Sequence, residues 1–287
     1  MSTHPARERN EVDRYLGLSL GGAKSDHTCL TVIDHYRRQD KAFVVDVFEG
    51  IGPQKSGPQG HRHEITADQV ILELVGEHQP GIRVLAVDAP LTLPPCLPSC
   101  EPSCEGYERC KQPTVRWMRS QYRKAKETHP KLKHFTPYSQ RPVDLYFRYR
   151  HPQDDVFQDE TMGANLAPRA VRMQYLKGHL KDIGLIEVWP KLALFYLQKP
   201  LGMNRRDFLN YRDLDKGVHV RERILESVVE RSRVFIYDRD HRKYIHSMPA
   251  FDSFVCAWVA LQYGCGRAMK FRGDVPVDSG WVQIPEL

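Results

Sequence analysis

The run Val84-Leu85-Ala86-Val87 constrains the fold of this chain more than any other stretch. Four consecutive apolar residues, bounded by Pro80-Gly81 before them and Asp88-Ala89-Pro90 after them, suit a central strand covered on both faces. A helix signal stands directly upstream. Thr66 and Gln69 have the capping-box spacing, and Val70, Ile71, Leu74 and Val75 form one apolar face. Earlier still, Tyr15-Leu16-Gly17-Leu18-Ser19-Leu20 alternates, which puts Leu16, Leu18 and Leu20 on one face and Ser19 on the other. With the apolar runs 29–33 and 42–48 it predicts a three-stranded antiparallel meander, followed by a Gly- and Pro-containing loop over 50–60.

Downstream, the pattern predicts helices over 142–148, 169–181, 220–231 and 251–263, the last apolar almost throughout and therefore buried. Strands are expected over 185–189, stopped by Pro190, and over 281–284. A meander, then helix–strand alternation, then a buried helix is the order that a ribonuclease H-like core requires. The expected fold class is thus α/β, a ribonuclease H-like mixed sheet flanked by helices. It covers 15–287, with 1–14 disordered or poorly ordered and a Cys-rich basic insertion at about 92–134. A chain of 287 residues is long enough for one such domain with an insertion.

Residues 1–14 are polar, without the apolar stretch of a secretory signal, and nowhere do eighteen apolar residues run together. The expectation is a cytoplasmic protein with no membrane partner. In such a reducing compartment the seven cysteines serve as thiols or metal ligands before disulfides. The net charge of +6 is a mild excess that is compatible with an acidic partner without demanding one.

Three acids stand among apolar neighbours: Asp88 at the end of the central strand, Glu187 within Leu185-Ile186-Glu187-Val188-Trp189, and Asp252 near the start of the buried helix. Burying an unpaired carboxylate costs several kcal/mol, so each needs a partner, a water cavity or a metal. Individually they have bland alternatives: a turn residue for Asp88, a helix-dipole partner for Asp252, and a buried arginine for Glu187. Together at one sheet edge they point to divalent-metal chemistry, Mg²⁺ or Mn²⁺, of the kind that hydrolyses phosphodiesters.

The stretches Val84-Leu85-Ala86-Val87-Asp88-Ala89-Pro90-Leu91, Ile186-Glu187-Val188-Trp189-Pro190, Phe251-Asp252-Ser253-Phe254 and Gly280-Trp281-Val282-Gln283-Ile284-Pro285 resemble the landmarks of a family of uncharacterised predicted nucleases with a ribonuclease H-like fold, DUF429. The resemblance implies that Asp88, Glu187 and Asp252 belong to the site. Two features depart from the family pattern. Ser19 stands where the family has a first-strand Asp, with Asp26 in the following loop as a candidate substitute, and Phe254 and Val255 stand where small residues are usual.

Cys96, Cys100, Cys104 and Cys110 are spaced C-x3-C-x3-C-x5-C, in a stretch where Pro98 and Pro102 exclude a regular helix. Four thiols in a Pro-rich loop point to a metal, zinc first and an iron–sulfur cluster second. Disulfides and free thiols are the competing readings. Cys29, Cys256 and Cys265 read as core residues. The segment 111–134 then carries eight bases and one acid, with Trp117 and Tyr122 interleaved. Arg116, Arg119, Arg123, Lys124 and Lys126 are the candidate nucleic-acid contacts, against a solvated basic face.

Arg141, Asp144 and Arg148 read as a surface or semi-buried ion-pair ladder. His61 and His63 read as solvated. No P-loop and no serine nucleophile elbow is present. The expected function is a metal-dependent nuclease or phosphodiesterase, a hydrolase acting on nucleic acid and weakened by Ser19. The alternatives are a catalytically inactive nucleic-acid-binding protein and a phosphotransferase of the actin-like type, with a phosphate turn at Gly21-Gly22.

Overall fold

Alternation along the first strand decides how the two faces of the sheet are used. The computed structural model describes residues 12–56, 63–151, 160–163, 166–270 and 273–287. Strands β1 (Val12–Ser19), β2 (Thr28–Tyr36) and β3 (Lys41–Ile51) form the antiparallel meander. Strand β1 opens at Val12, earlier than expected, because the charges at its start are cross-strand pairs. Arg14 donates to Asp34 at 2.6 Å and Arg83 to Asp13 at 2.6 Å. The rest of the expected N-terminal segment lies outside the described residues.

Part of the expected loop after β3 is a short ribbon of β4 (Gln54–Ser56) and β5 (His63–Ile65); His61 lies outside the described residues. Helix α1 (Ala67–Glu77) begins with the expected reciprocal cap between Thr66 and Gln69 and delivers the chain to β6 (Ile82–Val87), parallel to β1. Helices α2 (Cys96–Ser99), α3 (Pro113–Thr128), α4 (Pro142–Arg150) and α5 (Leu166–His179) come next. Strand β7 (Gly184–Glu187) then pairs parallel with β6. Helices α6 (Pro190–Leu197), α7 (Arg205–Asn210) and α8 (Gly217–Ser232) lead to the short edge strand β8 (Val234–Phe235), and helices α9 (Asp238–His246) and α10 (Met248–Gly264) follow. The sheet order is β7-β6-β1-β2-β3-β8, a mixed six-stranded sheet flanked by helices.

Two layers cover the sheet. Leu16, Leu18 and Leu20 pack with Leu85, Val87, Val70, Ile71, Met173 and Leu176, under α1 and α5. The opposite face, with Tyr15 and Ala86, lies under α10, α8 and α6. Helix α10 is buried along nearly its whole length. It crosses β1 at Gly17, where an added Cβ would stand 2.1 Å from both the Ala257 N and the Ser253 O. The small residues at this crossing are therefore Ser253 and Ala257, and the larger Phe254 and Val255 pack into the core.

Several elements differ from expectation for local reasons. Pro190 stops β7 but also sits at the first position of α6, and Pro113 does the same for α3; a proline there loses no helix bond. The last expected strand contracts to one parallel bridge, Glu187 to Val282. Among the described residues no helix is long and apolar enough to cross a membrane.

Replacing Gly17 with Ala should cost about 3 kcal/mol or more, because backbone atoms on both sides block relief of the overlap. In Gly22→Ala the new methyl would meet only the Ser25 Oγ, at 3.6 Å, so that variant should stay near wild type. Urea unfolding of the two variants checks the contrast.

Candidate functional site at the carboxyl end of the central strands

Asp88 follows β6 directly and is tied to the end of β1. Its backbone N donates to Leu18 O at 3.1 Å. Its carboxylate accepts from Leu20 N at 2.7 Å, from Ser19 Oγ at 2.9 Å and from Arg169 at 2.7 Å. Ser19 thus occupies the face expected of it and touches the first of the three acids. Asp26, the candidate substitute, is no part of this contact. Its side chain is 79% exposed and lies 3.8 Å from His27.

Asp252 reaches the same place from α10. One carboxylate oxygen, Oδ2, accepts from Arg212 at 2.7 Å. The other, Oδ1, is buried and has no hydrogen-bond partner among the described residues. Burial pushes the Asp252 carboxyl up to about 6; Arg212 opposes that rise and the nearby Asp88 charge adds to it. The Asp88 charge thus acts on Asp252, and each acid is paired with one arginine.

Helix α5 supplies the cationic side. Arg169 donates to both the carboxylate and the carbonyl of Asp88. Arg172, three residues on along the same face, donates to Gly21 O at 2.8 Å and to Asp68 at 2.6 Å. Arg169 Nε and Arg172 Nη2 are buried without a partner among the described residues, as Asp252 Oδ1 is. Sequence reasoning singled out neither arginine for this site, although both lie in the region expected to be helical. Arg212 sits beyond α7 where no periodicity marks it.

Glu187 lies in a different environment from Asp88 and Asp252. Both its oxygens accept from Arg141, each at 2.7 Å, and they accept as well from Trp189 Nε1 at 2.7 Å and Leu91 N at 2.9 Å. Arg141 is completely buried and also pairs with Asp144 at 3.1 Å. The expected surface or semi-buried ladder is therefore a sealed network at its Arg141–Asp144 end. Four donor groups saturate Glu187, which sets its surroundings apart from those of Asp88 and Asp252. The alternative of a buried arginine for Glu187 is the one realised.

The basic segment divides similarly. Arg119 donates to the carbonyls of Tyr107 at 2.7 Å and Glu108 at 2.6 Å, and Lys126 to Leu132 O at 3.0 Å. Those two bases are engaged in the local fold. Arg116, Arg123 and Lys124 lie on the exposed face of α3. Met118 and Tyr122 on its other face pack with Phe135 and Leu145.

The four cysteines line one pocket, with Arg109 and Lys111 beside them, and none forms a disulfide. Cys96 is pushed up to about 11 by burial and then by Cys100, Cys110 and Cys104, so the four thiols share one another's field. Helix α2 is a single turn, with Pro98 at its third residue, where the missing N–H needs no helix partner. Among the described residues no three His, Cys, Asp or Glu side chains already stand where they could hold a metal ion.

A family model described as a protein of unknown function, DUF429, matches residues 59–276, more than two thirds of the chain. The chain belongs to the DUF429 family. The DUF429 match contains Asp88, Glu187, Asp252 and the four cysteines, and it leaves β1 to β3, with Ser19, outside. No curated protein and no solved structure matches the chain.

Two outcomes follow from this geometry. Glu187→Ala should destabilise the fold by roughly 3–5 kcal/mol in urea unfolding, since it leaves Arg141 short of a buried counter-charge. Asp252 holds its proton more tightly when folded, with a pKa of about 6 against an ordinary 3.8. Its contribution to stability is therefore fully present below about pH 4 and is lost as the pH rises to about 6. Asp252→Asn should remove that slope from a pH series of unfolding midpoints.

Proposed function

We propose that the chain is a metal-dependent nuclease or phosphodiesterase acting on nucleic acid. In this reading the sheet is ribonuclease H-like, and Asp88 and Asp252 form the centre. The order β3-β2-β1-β6-β7, antiparallel across the meander and parallel beyond β1, is the arrangement expected of that core. Its carboxyl edge is where open α/β sheets gather ligands.

The observation that carries the reading is the buried, unpartnered Asp252 Oδ1, on a carboxylate that feels the Asp88 charge. Leaving such an oxygen without a partner costs about 1–3 kcal/mol, which a bound cation would offset. The donors available are hard carboxylate oxygens, which suit Mg²⁺ or Mn²⁺. Two acids fit a single ion better than a pair of ions, with Glu187 committed to Arg141 and Ser19 in place of an acid. Asp88 and Asp252 would hold it. Such an ion polarises a phosphoryl oxygen and lowers the pKa of a bound water.

The remaining chemistry belongs to the chain's own side chains. Arg169 and Arg212 neutralise the two acids as they stand. Released from them, each presents a planar set of donors suited to phosphoryl oxygens. The exposed Arg116, Arg123 and Lys124 add a sequence-independent attraction for a phosphate backbone. A second reading, nucleic-acid binding without catalysis, draws on the same ion pairs. Ser19 donates to Asp88, and the two arginines balance both acids without a metal.

Calorimetric Mn²⁺ titration joined to a nuclease assay separates the two. The catalytic reading expects one weakly bound ion and slow cleavage that favours Mn²⁺ over Mg²⁺. Binding should weaken as the pH falls below about 6, where Asp252 takes up its proton. Asp252→Asn should lower activity by about 100-fold or more, and Ser19→Asp should tighten the ion by adding a charge beside Asp88. Cation binding absent from wild type and Ser19→Asp alike, with salt-dependent nucleic-acid binding retained, would replace catalysis with the binding reading.

A further inference from the structure

We propose that Cys96, Cys100, Cys104 and Cys110 together bind one zinc ion, which orders the loop that fixes helix α3. Residues 97–106 are all exposed, Leu97 among them at 48%. The one-turn helix α2, isolated turns such as Cys104 N to Glu101 O and Arg109 N to Gly106 O, and a contact from Gln112 to Ser99 at 2.8 Å organise its backbone. Ordering a residue costs on the order of 1–2 kcal/mol of backbone entropy, and this stretch, with no buried side chain, has little apolar burial to repay it. A loop of that kind needs a cross-link, and a structural zinc site supplies folding free energy directly.

The side chains present suit that role. Four cysteines from one short stretch line a single pocket, and none is in a disulfide. Arg109 and Lys111 line the same pocket with Glu101 and Glu105, Arg109 standing 3.9 Å from Glu105, so the lining is charge-balanced and the four thiols are its metal-binding groups. Cys100 and Cys104 lie on the exposed arm and would close onto the half-buried Cys96 and Cys110. Zinc is the ion of choice over an iron–sulfur cluster because it is redox-inert and tolerates a solvent-open site, and a tetrahedral tetrathiolate shell satisfies it.

The loop is joined to α3 through one residue. Arg119 donates to the carbonyls of Tyr107, Glu108 and Cys110, the last at 3.4 Å. A fixed loop therefore fixes the helix that bears Arg116, Arg123 and Lys124. This consequence stands whether or not the carboxylate site is catalytic.

The test is elemental analysis of full-length protein purified anaerobically without chelators. One zinc per chain is expected, with the four thiols protected from a thiol reagent until the metal is stripped. Cys104→Ser should lose the zinc and become more sensitive to trypsin at Arg109 and Lys111, while the main unfolding transition stays in place. Should that variant fail to fold, cobalt exchange into wild type gives an independent readout, with the intense visible bands of a tetrahedral tetrathiolate expected. No bound metal, disulfides among the four cysteines, iron with a visible chromophore, zinc retained in full by Cys104→Ser, or a cobalt spectrum without thiolate bands would each overturn the proposal.

Discussion

The contact between α10 and β1 at Gly17 is the constraint on which the rest of the structure depends. Because residue 17 has no Cβ, the backbones of Ser253 and Ala257 come within van der Waals reach of the strand. That approach brings Asp252, one residue before Ser253, to the carboxyl edge of the sheet. There it feels the charge of Asp88, which the end of β1 holds through Ser19 and Leu20. A single close crossing thus links core packing to the chemistry of the edge.

Charge in this protein is sorted by whether it is saturated. Glu187 accepts from Arg141, Trp189 and Leu91, and it pins the turn that follows Asp88. Asp88, three residues before Leu91, accepts from Leu20, Ser19 and Arg169. Asp88 and Asp252 each have one arginine, and Asp252 retains an unsatisfied oxygen. The difference between a sealed and an open acid lies in the number of donors around it, a property of tertiary structure.

That property explains what was legible in the sequence. The alternation of Leu16, Leu18 and Leu20, the capping box at Thr66 and Gln69, and the apolar run ending on Asp88 each report local physics, and each element formed. The apolar setting of the three acids was legible too, but their arginine partners were not. Arg141 comes from a helix 46 residues before Glu187 in the chain, and Arg212 from a loop 40 residues before Asp252. No periodicity announces partners that distant. Helix α3 was obscured by its dense charge and the Pro-rich stretch before it, although Met118 and Tyr122 lie at the i, i+4 spacing of one apolar face.

The central functional claim is that Asp88 and Asp252 share one cation site from which Glu187 is excluded. Anomalous diffraction from crystals soaked in Mn²⁺ addresses it most directly. The account predicts one anomalous peak within about 2.0–2.6 Å of an oxygen from each of Asp88 and Asp252, with Arg141 still clasping Glu187. A peak coordinated by Glu187, or none at either aspartate in crystals of active protein, would contradict it.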